Sequence, residues 1–192
     1  MDSIVDELMK QVASGDNLAS ISQSVGGDPS AVNSALGMAM PLILGSMSNN
    51  ASKSGGMDAM MGMVSQMSGA NPMDNLSGFL SGSQPSGSAG LVSSLLGSQL
   101  GPIQDAISKK TGLPPAIVGK VLQMAVPIVL GKVSSMVSGG NMDKNGLSNL
   151  LGEQSKMAMQ SSPEVADIAQ QLIASQGGSG GIMGTLKKLF KG

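Results

Sequence analysis

The sequence predicts an all-α protein made of two tandem repeats of one helical unit, and three observations lead to this fold class. Apolar residues recur at helical spacing, without the alternating β-branched and aromatic residues of strands. Residues 21–48 and 107–134 align without a gap and are identical at 12 of 28 positions. Each copy places a proline inside its most apolar stretch, Pro41 in MAMPLILG and Pro127 in MAVPIVLG.

Two segments rich in Gly and Ser divide the chain. The segment SGSQPSGSAG at 81–90 predicts a linker, and QGGSGG at 176–181 predicts a second one. We therefore define unit one as residues 1–80 and unit two as residues 91–175, and we expect a tail helix over 182–192.

Unit one is predicted to open with an amphipathic helix whose apolar stripe is formed by Ile4, Val5, Leu8 and Val12. Asp16 or Asn17 is the predicted N-cap of a second helix, which Gly26 ends. Asp28 is the predicted N-cap of a third helix, with Pro29 in its first turn, where a missing N–H does no harm.

A short helix, a glycine turn and a longer helix follow one another in each unit, around Gly26 and Gly112. This order is typical of a helix-turn-helix motif. The same spacing also suits an arrangement that only packs helices together, so two interpretations of the motif stay open.

Pro41 and Pro127 are predicted to mark a structural kink in the long helix of each unit. A proline inside a helix removes one backbone hydrogen bond and costs about 3 kcal/mol. The residues after each proline are apolar on all sides, which is typical of a buried segment. We therefore expect a kink or a restart that turns a surface helix into the core.

The residue types that the chain lacks argue against many functions. It contains no Cys, His, Trp or Tyr, and all 11 basic residues are Lys. The chain thus lacks a thiolate nucleophile, the commonest general base and metal ligand, and the bidentate arginine clamp for phosphates. We predict a non-enzymatic protein with no cofactor, no bound metal and no small-molecule substrate.

The protein is expected to be cytoplasmic. Its first residues, MDSIVDELMK, are acidic and lack the basic and apolar regions of a secretory signal. The longest apolar stretch, 121–130, is about half the length that a membrane span needs.

The two units carry opposite charge. Residues 1–52 have a net charge of −4, and residues 101–134 have a net charge of +3. Opposite signs on similar shapes favour docking of unit one on unit two, within one chain or between chains, and docking between chains would give a homo-oligomer. The alternative is that both faces are solvated and never meet.

A basic face is predicted in unit two from Lys109, Lys110, Lys120 and Lys132. A DNA-binding protein needs such a face, because phosphate contacts dominate its affinity. The net charge of −1 and the absence of arginine make nucleic acid the less favoured partner.

The last segment, IMGTLKKLFKG, predicts a short basic amphipathic helix. Its apolar stripe is formed by Ile182, Met183, Leu186, Leu189 and Phe190. Its basic side is formed by Lys187, Lys188 and Lys191. Such a helix suits an anionic membrane surface or the groove of a partner protein, which would make the protein peripheral to the membrane. The alternative is that the tail packs on the protein's own core.

The chain resembles an uncharacterised bacterial family in a pattern that both repeats share, I-S-x-x-x-G-x-x-P-x-x-V-x-x-x-L-x-M-A-x-P-x-x-L-G. That family is grouped with the YidB-like proteins. The resemblance implies an all-helical fold with a homeodomain-like helical motif, and it implies no activity and no catalytic residue.

Taken together, these features predict a self-associating structural or scaffold protein that its C-terminal helix attaches to a membrane surface or a partner. The alternative function is that of a DNA-binding accessory protein that uses the basic, helix-turn-helix-like unit two.

Overall fold

The computed structural model describes residues 4–67, 72, 78–79, 88–140, 143–161, 163, 165–168 and 170. Each regular element in this part of the chain is a helix, and the described residues contain no strand. The prediction of an all-α fold is therefore confirmed.

The helices of unit one are α1 (Ile4–Val12), α2 (Gly15–Val25), α3 (Pro29–Ala51) and α4 (Gly56–Met67). The helices of unit two are α5 (Ser88–Leu96), a short 3-10 helix (Gly97–Gln99), α6 (Leu100–Thr111), α7 (Pro115–Gly140) and α8 (Lys144–Ser161). Residues 88–90 were predicted to belong to the linker, but they form the first turn of α5. The helix therefore begins three residues before the predicted start of unit two.

Helix α3 begins as predicted. The Asp28 side chain accepts hydrogen bonds from Ser30 N at 2.9 Å and Ala31 N at 3.3 Å, and Pro29 is the first helical residue. The preceding helix ends at Gly26, whose φ of 78° lies in the left-handed region that favours glycine.

Helix α2 begins earlier than predicted. Its N-cap is Ser14, so the prediction of Asp16 or Asn17 is wrong. The Ser14 hydroxyl and the Asn17 amide both donate to the Gln11 carbonyl, each at 2.9 Å. These side chains therefore satisfy the last turn of α1 rather than the first turn of α2.

One hydrophobic core includes buried residues from both units. Helices α3 and α7 lie at its centre: α3 packs on α7 and α8, and α7 also packs on α4, α5 and α6. Burial of apolar surface is the main favourable term in folding. Because the core is shared, neither unit buries its own long helix alone.

Pro41 and Pro127 are both positioned inside uninterrupted helices, α3 and α7. Both prolines are buried, as are Leu42 and Ile128, the residues that follow them. The helix does not restart at either proline, so the restart alternative is wrong. A bend at each proline stays a prediction.

Helices α3 and α7 are long and apolar enough to cross a membrane, judged by length and composition alone. Other helices cover most of each one: 67% of the apolar window of α3 and 72% of that of α7 are buried inside the protein. The sequence prediction counted uninterrupted apolar residues and so missed the length of these helices, which include isolated polar and glycine residues.

Candidate functional site

The surface along which the two units meet is the most extensive contact in the protein, and we call it the inter-unit interface. Its main part is α3 against α5, α6, α7 and α8 and α4 against α7, and α1 also contacts α8. At Gly45 of α3, a Cβ atom would lie 3.6 Å from the Ser155 Oγ of α8. Helices α3 and α8 are thus in contact at Gly45, at a distance that a methyl group would fill without a clash.

Hydrogen bonds between described residues cross the inter-unit interface. They run from Ile4 N to Gln154 Oε1 (2.8 Å), from Ser46 Oγ to Gln99 Oε1 (3.0 Å), from Asn50 Nδ2 to the Leu95 carbonyl (2.5 Å) and from Ser134 Oγ to the Val64 carbonyl (3.0 Å). The first of these supplies an acceptor to a backbone N–H at the start of α1, which has no partner within its own helix. Unit two thereby caps the first helix of unit one.

Two ion pairs also join the units. Lys132 Nζ lies 2.6 Å from Glu7 Oε1, and Lys144 pairs with Asp58. In both pairs unit one supplies the carboxylate and unit two supplies the ammonium group. The side chain of Lys132 is 21% exposed, whereas the other three are at least half exposed, so these pairs orient the units more than they stabilise them.

The two glycine turns lie beside each other. A Cβ atom at Gly27 would lie 3.2 Å from Ile117 and 3.3 Å from Leu113, which belong to the start of α7 and the turn before it. The ion pair between Asp58 and Lys144 similarly joins the first turns of α4 and α8. In both places the residues that meet, Gly27 with Leu113 and Asp58 with Lys144, lie 86 positions apart, which is the offset of the aligned segments.

The predicted basic face divides into two parts. Lys109, Lys110 and Lys120 are exposed. Lys132 is turned to Glu7 of unit one and belongs to the inter-unit interface. The sequence prediction grouped Lys132 with the other three lysines and did not anticipate its contact with Glu7.

The side chains that would read DNA in a helix-turn-helix are only partly available. In unit one Ser30 and Ser34 are exposed, but Asn33 is partly buried. In unit two Lys120 is exposed, whereas Gly119 is buried, and a Cβ there would lie 2.8 Å from Gln104 Nε2 of α6. Helix α6 therefore covers part of the surface of α7 that a recognition helix would present.

The predicted tail helix, 182–192, and the linker at 176–181 lie outside the described residues. The described residues contain no group of three or more His, Cys, Asp or Glu side chains that could hold a metal ion. Asp143 Oδ1 accepts a hydrogen bond from Gly146 N at 2.8 Å, so this carboxylate caps the start of α8.

Sequence reasoning missed several residues of the inter-unit interface. Glu7 and Lys132 were counted in the charge of their units without being paired, and Asp58, Lys144 and Gln154 were not singled out. The opposite net charges of the units were the available signal. It indicated attraction between the units but not which side chains meet.

A family model described as "Bacterial protein of unknown function (DUF937)" matches residues 6–136, which is more than half of the chain. The match spans α1 to most of α7 and so includes the two glycine turns and both buried prolines. No curated protein and no solved structure has significant similarity to the chain.

Proposed function

The chain belongs to the bacterial family of unknown function DUF937, and we propose that it is a non-enzymatic, self-associating scaffold protein. In this proposal two copies of one helical unit make the contacts, and the C-terminal segment attaches the assembly to a membrane surface. The grouping with the YidB-like proteins is part of the same proposal.

The positions of the long helices support two copies of one unit. Both α3 and α7 begin at a proline, Pro29 and Pro115, which directly follows a short turn. That turn opens with a left-handed glycine in each case, Gly26 with a φ of 78° and Gly112 with a φ of 75°. All these positions repeat at the offset of the sequence alignment.

The observation that carries self-association is the complementarity of the two units across the inter-unit interface. Each ion pair there joins an acidic residue of unit one to a lysine of unit two. Further charges of the same signs are exposed, Asp6 and Asp16 on unit one and Lys109 and Lys120 on unit two. Head-to-tail contact between copies would bring such surfaces together.

The C-terminal segment, with Leu186, Leu189 and Phe190 on one side and Lys187 and Lys188 on the other, is the proposed attachment helix. A single short helix of this kind binds an anionic lipid surface weakly. An assembly carries several such helices on one particle, and their combined binding exceeds that of one helix. The proposed protein is thus cytoplasmic and peripheral to the membrane.

Vesicle co-sedimentation tests the attachment. The full chain is compared with a chain that lacks 182–192 and with a Lys187→Gln, Lys188→Gln, Lys191→Gln variant that keeps the apolar stripe. We expect the full chain to sediment with anionic vesicles, and both altered chains to lose most of that binding. Equal binding by all three chains would contradict a membrane role for the tail.

A DNA-binding accessory protein is the second candidate, because Lys109, Lys110 and Lys120 are exposed around the second glycine turn. Titration of binding to duplex DNA against salt concentration tests it. Substitution of the three lysines with glutamine should lower both the affinity and the salt slope. A chain that does not bind duplex DNA even at low salt is not such a protein.

A further inference from the structure

In the inter-unit interface unit one packs on unit two, and every copy of the chain carries both of these surfaces. We propose that copies associate by exchanging units, so that unit one of one copy packs on unit two of another through the contacts that close the single chain. This inference rests on the proposed self-association and names the surface and the partner, a second copy of this chain.

Exchange is favoured by how the core is built. Helix α3 packs on α7 and α8, and both of these belong to unit two. Separation of the units would expose part of the apolar surface of α3, which is buried at every residue from Met38 to Leu44 in the closed chain. A second copy's unit two covers that surface as well as the chain's own does, so an opened chain is a partner for another opened chain.

The sequence between the units suits such an exchange. Phe79 belongs to unit one, and α5 begins at Ser88. The residues between them are mostly Ser, Gly, Gln and Pro, a composition typical of linkers. The contacts described above join residues outside this segment, and a unit two from another chain offers the same residues to unit one.

The charges make the exchange directional. Both ion pairs take the acid from unit one and the base from unit two. In a pairing of two copies of unit one, Glu7 would face Ser46 in place of Lys132, and Asp58 would face a second Asp58 in place of Lys144. Association therefore joins unlike units. Two chains that exchange with each other close both interfaces, and chains that exchange in series continue into a longer assembly.

Charge reversal offers a direct test with full-length chains. The first variant carries Glu7→Lys and Asp58→Lys, and the second carries Lys132→Glu and Lys144→Glu. Each variant alone has like charges in both pairs. When the two variants exchange units, one interface joins the altered unit one to the altered unit two, and the other joins the two native units. Both ion pairs are then attractive in each interface. The chain with all four substitutions is the control, because its closed form has both attractive pairs restored.

The two variants are labelled with different isotopes, mixed at low salt, and counted by native mass spectrometry. We expect mixed dimers to exceed the two kinds of like dimer taken together, and the excess to fall as salt is added. The four-fold control, mixed with either variant, should show no such excess. If a variant loses its helical circular dichroism, Asp58→Lys is mixed with Lys144→Glu instead, because these side chains are 70% and 60% exposed.

The outcomes separate this inference from the proposed function. Mixed dimers at the random proportion, in a protein that still self-associates, would overturn unit exchange and leave self-association intact. A native chain that stays monomeric at every concentration would overturn both.

Discussion

The long helices of unit one and unit two begin after similar turns, but different groups accept hydrogen bonds from their first backbone N–H groups. In unit one the Asp28 side chain accepts the free N–H groups of α3. In unit two the Pro114 carbonyl accepts from Ile117 N at 2.9 Å and Val118 N at 3.1 Å, without a side-chain cap. Both turns contain a glycine with a positive φ, a backbone conformation that favours glycine, whereas the group that caps the following helix differs.

The units differ in charge as well. Glu7 and Asp58 of unit one face Lys132 and Lys144 of unit two. At the offset of the aligned segments Lys132 corresponds to Ser46, and Lys144 corresponds to Asp58, so two identical units would form neither ion pair. The two units are therefore complementary in charge where they meet, and they can be compared by matched substitutions.

Leu36 and Leu122 occupy equivalent positions in the repeat and are both fully buried. Replacement of either with alanine should lower the free energy of unfolding by about 2–5 kcal/mol, because each leaves a cavity in the core. Since the core is shared, both variants should shift the midpoint of one and the same transition in urea. Two separate transitions, of which only one moves, would show that the units fold independently.

Gly27 and its counterpart Leu113 lie side by side between the units. A Cβ atom at Gly27 would lie 2.8 Å from Val32 Cγ2, and that side chain is buried. Gly27→Ala should therefore lower the free energy of unfolding by about 1–3 kcal/mol through overpacking. The control is Gly62→Ala in α4, where no heavy atom lies within 4 Å of the added Cβ. Urea denaturation should show the control unchanged or more stable.

The different caps give the next contrast. Asp28→Ala removes the acceptor of two backbone N–H groups and should cost about 1 kcal/mol of stability. Pro114→Ala keeps the carbonyl that serves α7, so its effect on thermal unfolding should be smaller. An equal loss in both variants would contradict the difference between the two turns.

The ion pairs give the smallest effect. Glu7→Gln removes the carboxylate that faces Lys132 and should cost at most about 1 kcal/mol, because the Glu7 side chain is 56% exposed. The loss should shrink when unfolding is measured at high salt. A loss that does not depend on salt would mean that the contact is not mainly electrostatic.

Much of the fold follows from local signals in the sequence. The helical spacing of Ile4, Leu8 and Val12 predicted α1, Gly26 predicted the end of α2, and the Asp28 cap predicted the start of α3. The N-cap of α2 was mistaken because several polar residues at 14–17 can cap a helix, and the contact with the end of α1 selects among them.

The candidate surface was harder to predict. Lys132 was grouped with Lys109 and Lys110 because sequence shows charge but not which face of α7 meets unit one. Gln154 gave no signal at all, since its hydrogen bond to Ile4 N joins residues at opposite ends of the described chain. Such contacts depend on how the units pack, and the repeat alone does not contain that information.

The molar mass of the full-length protein in solution is the direct test of self-association by complementary units. Light scattering is measured over a wide range of protein concentration at low salt. We predict a mass that rises above the 19.1 kDa of the single chain as concentration increases. A mass that stays at the single-chain value over the whole range of concentration would contradict self-association.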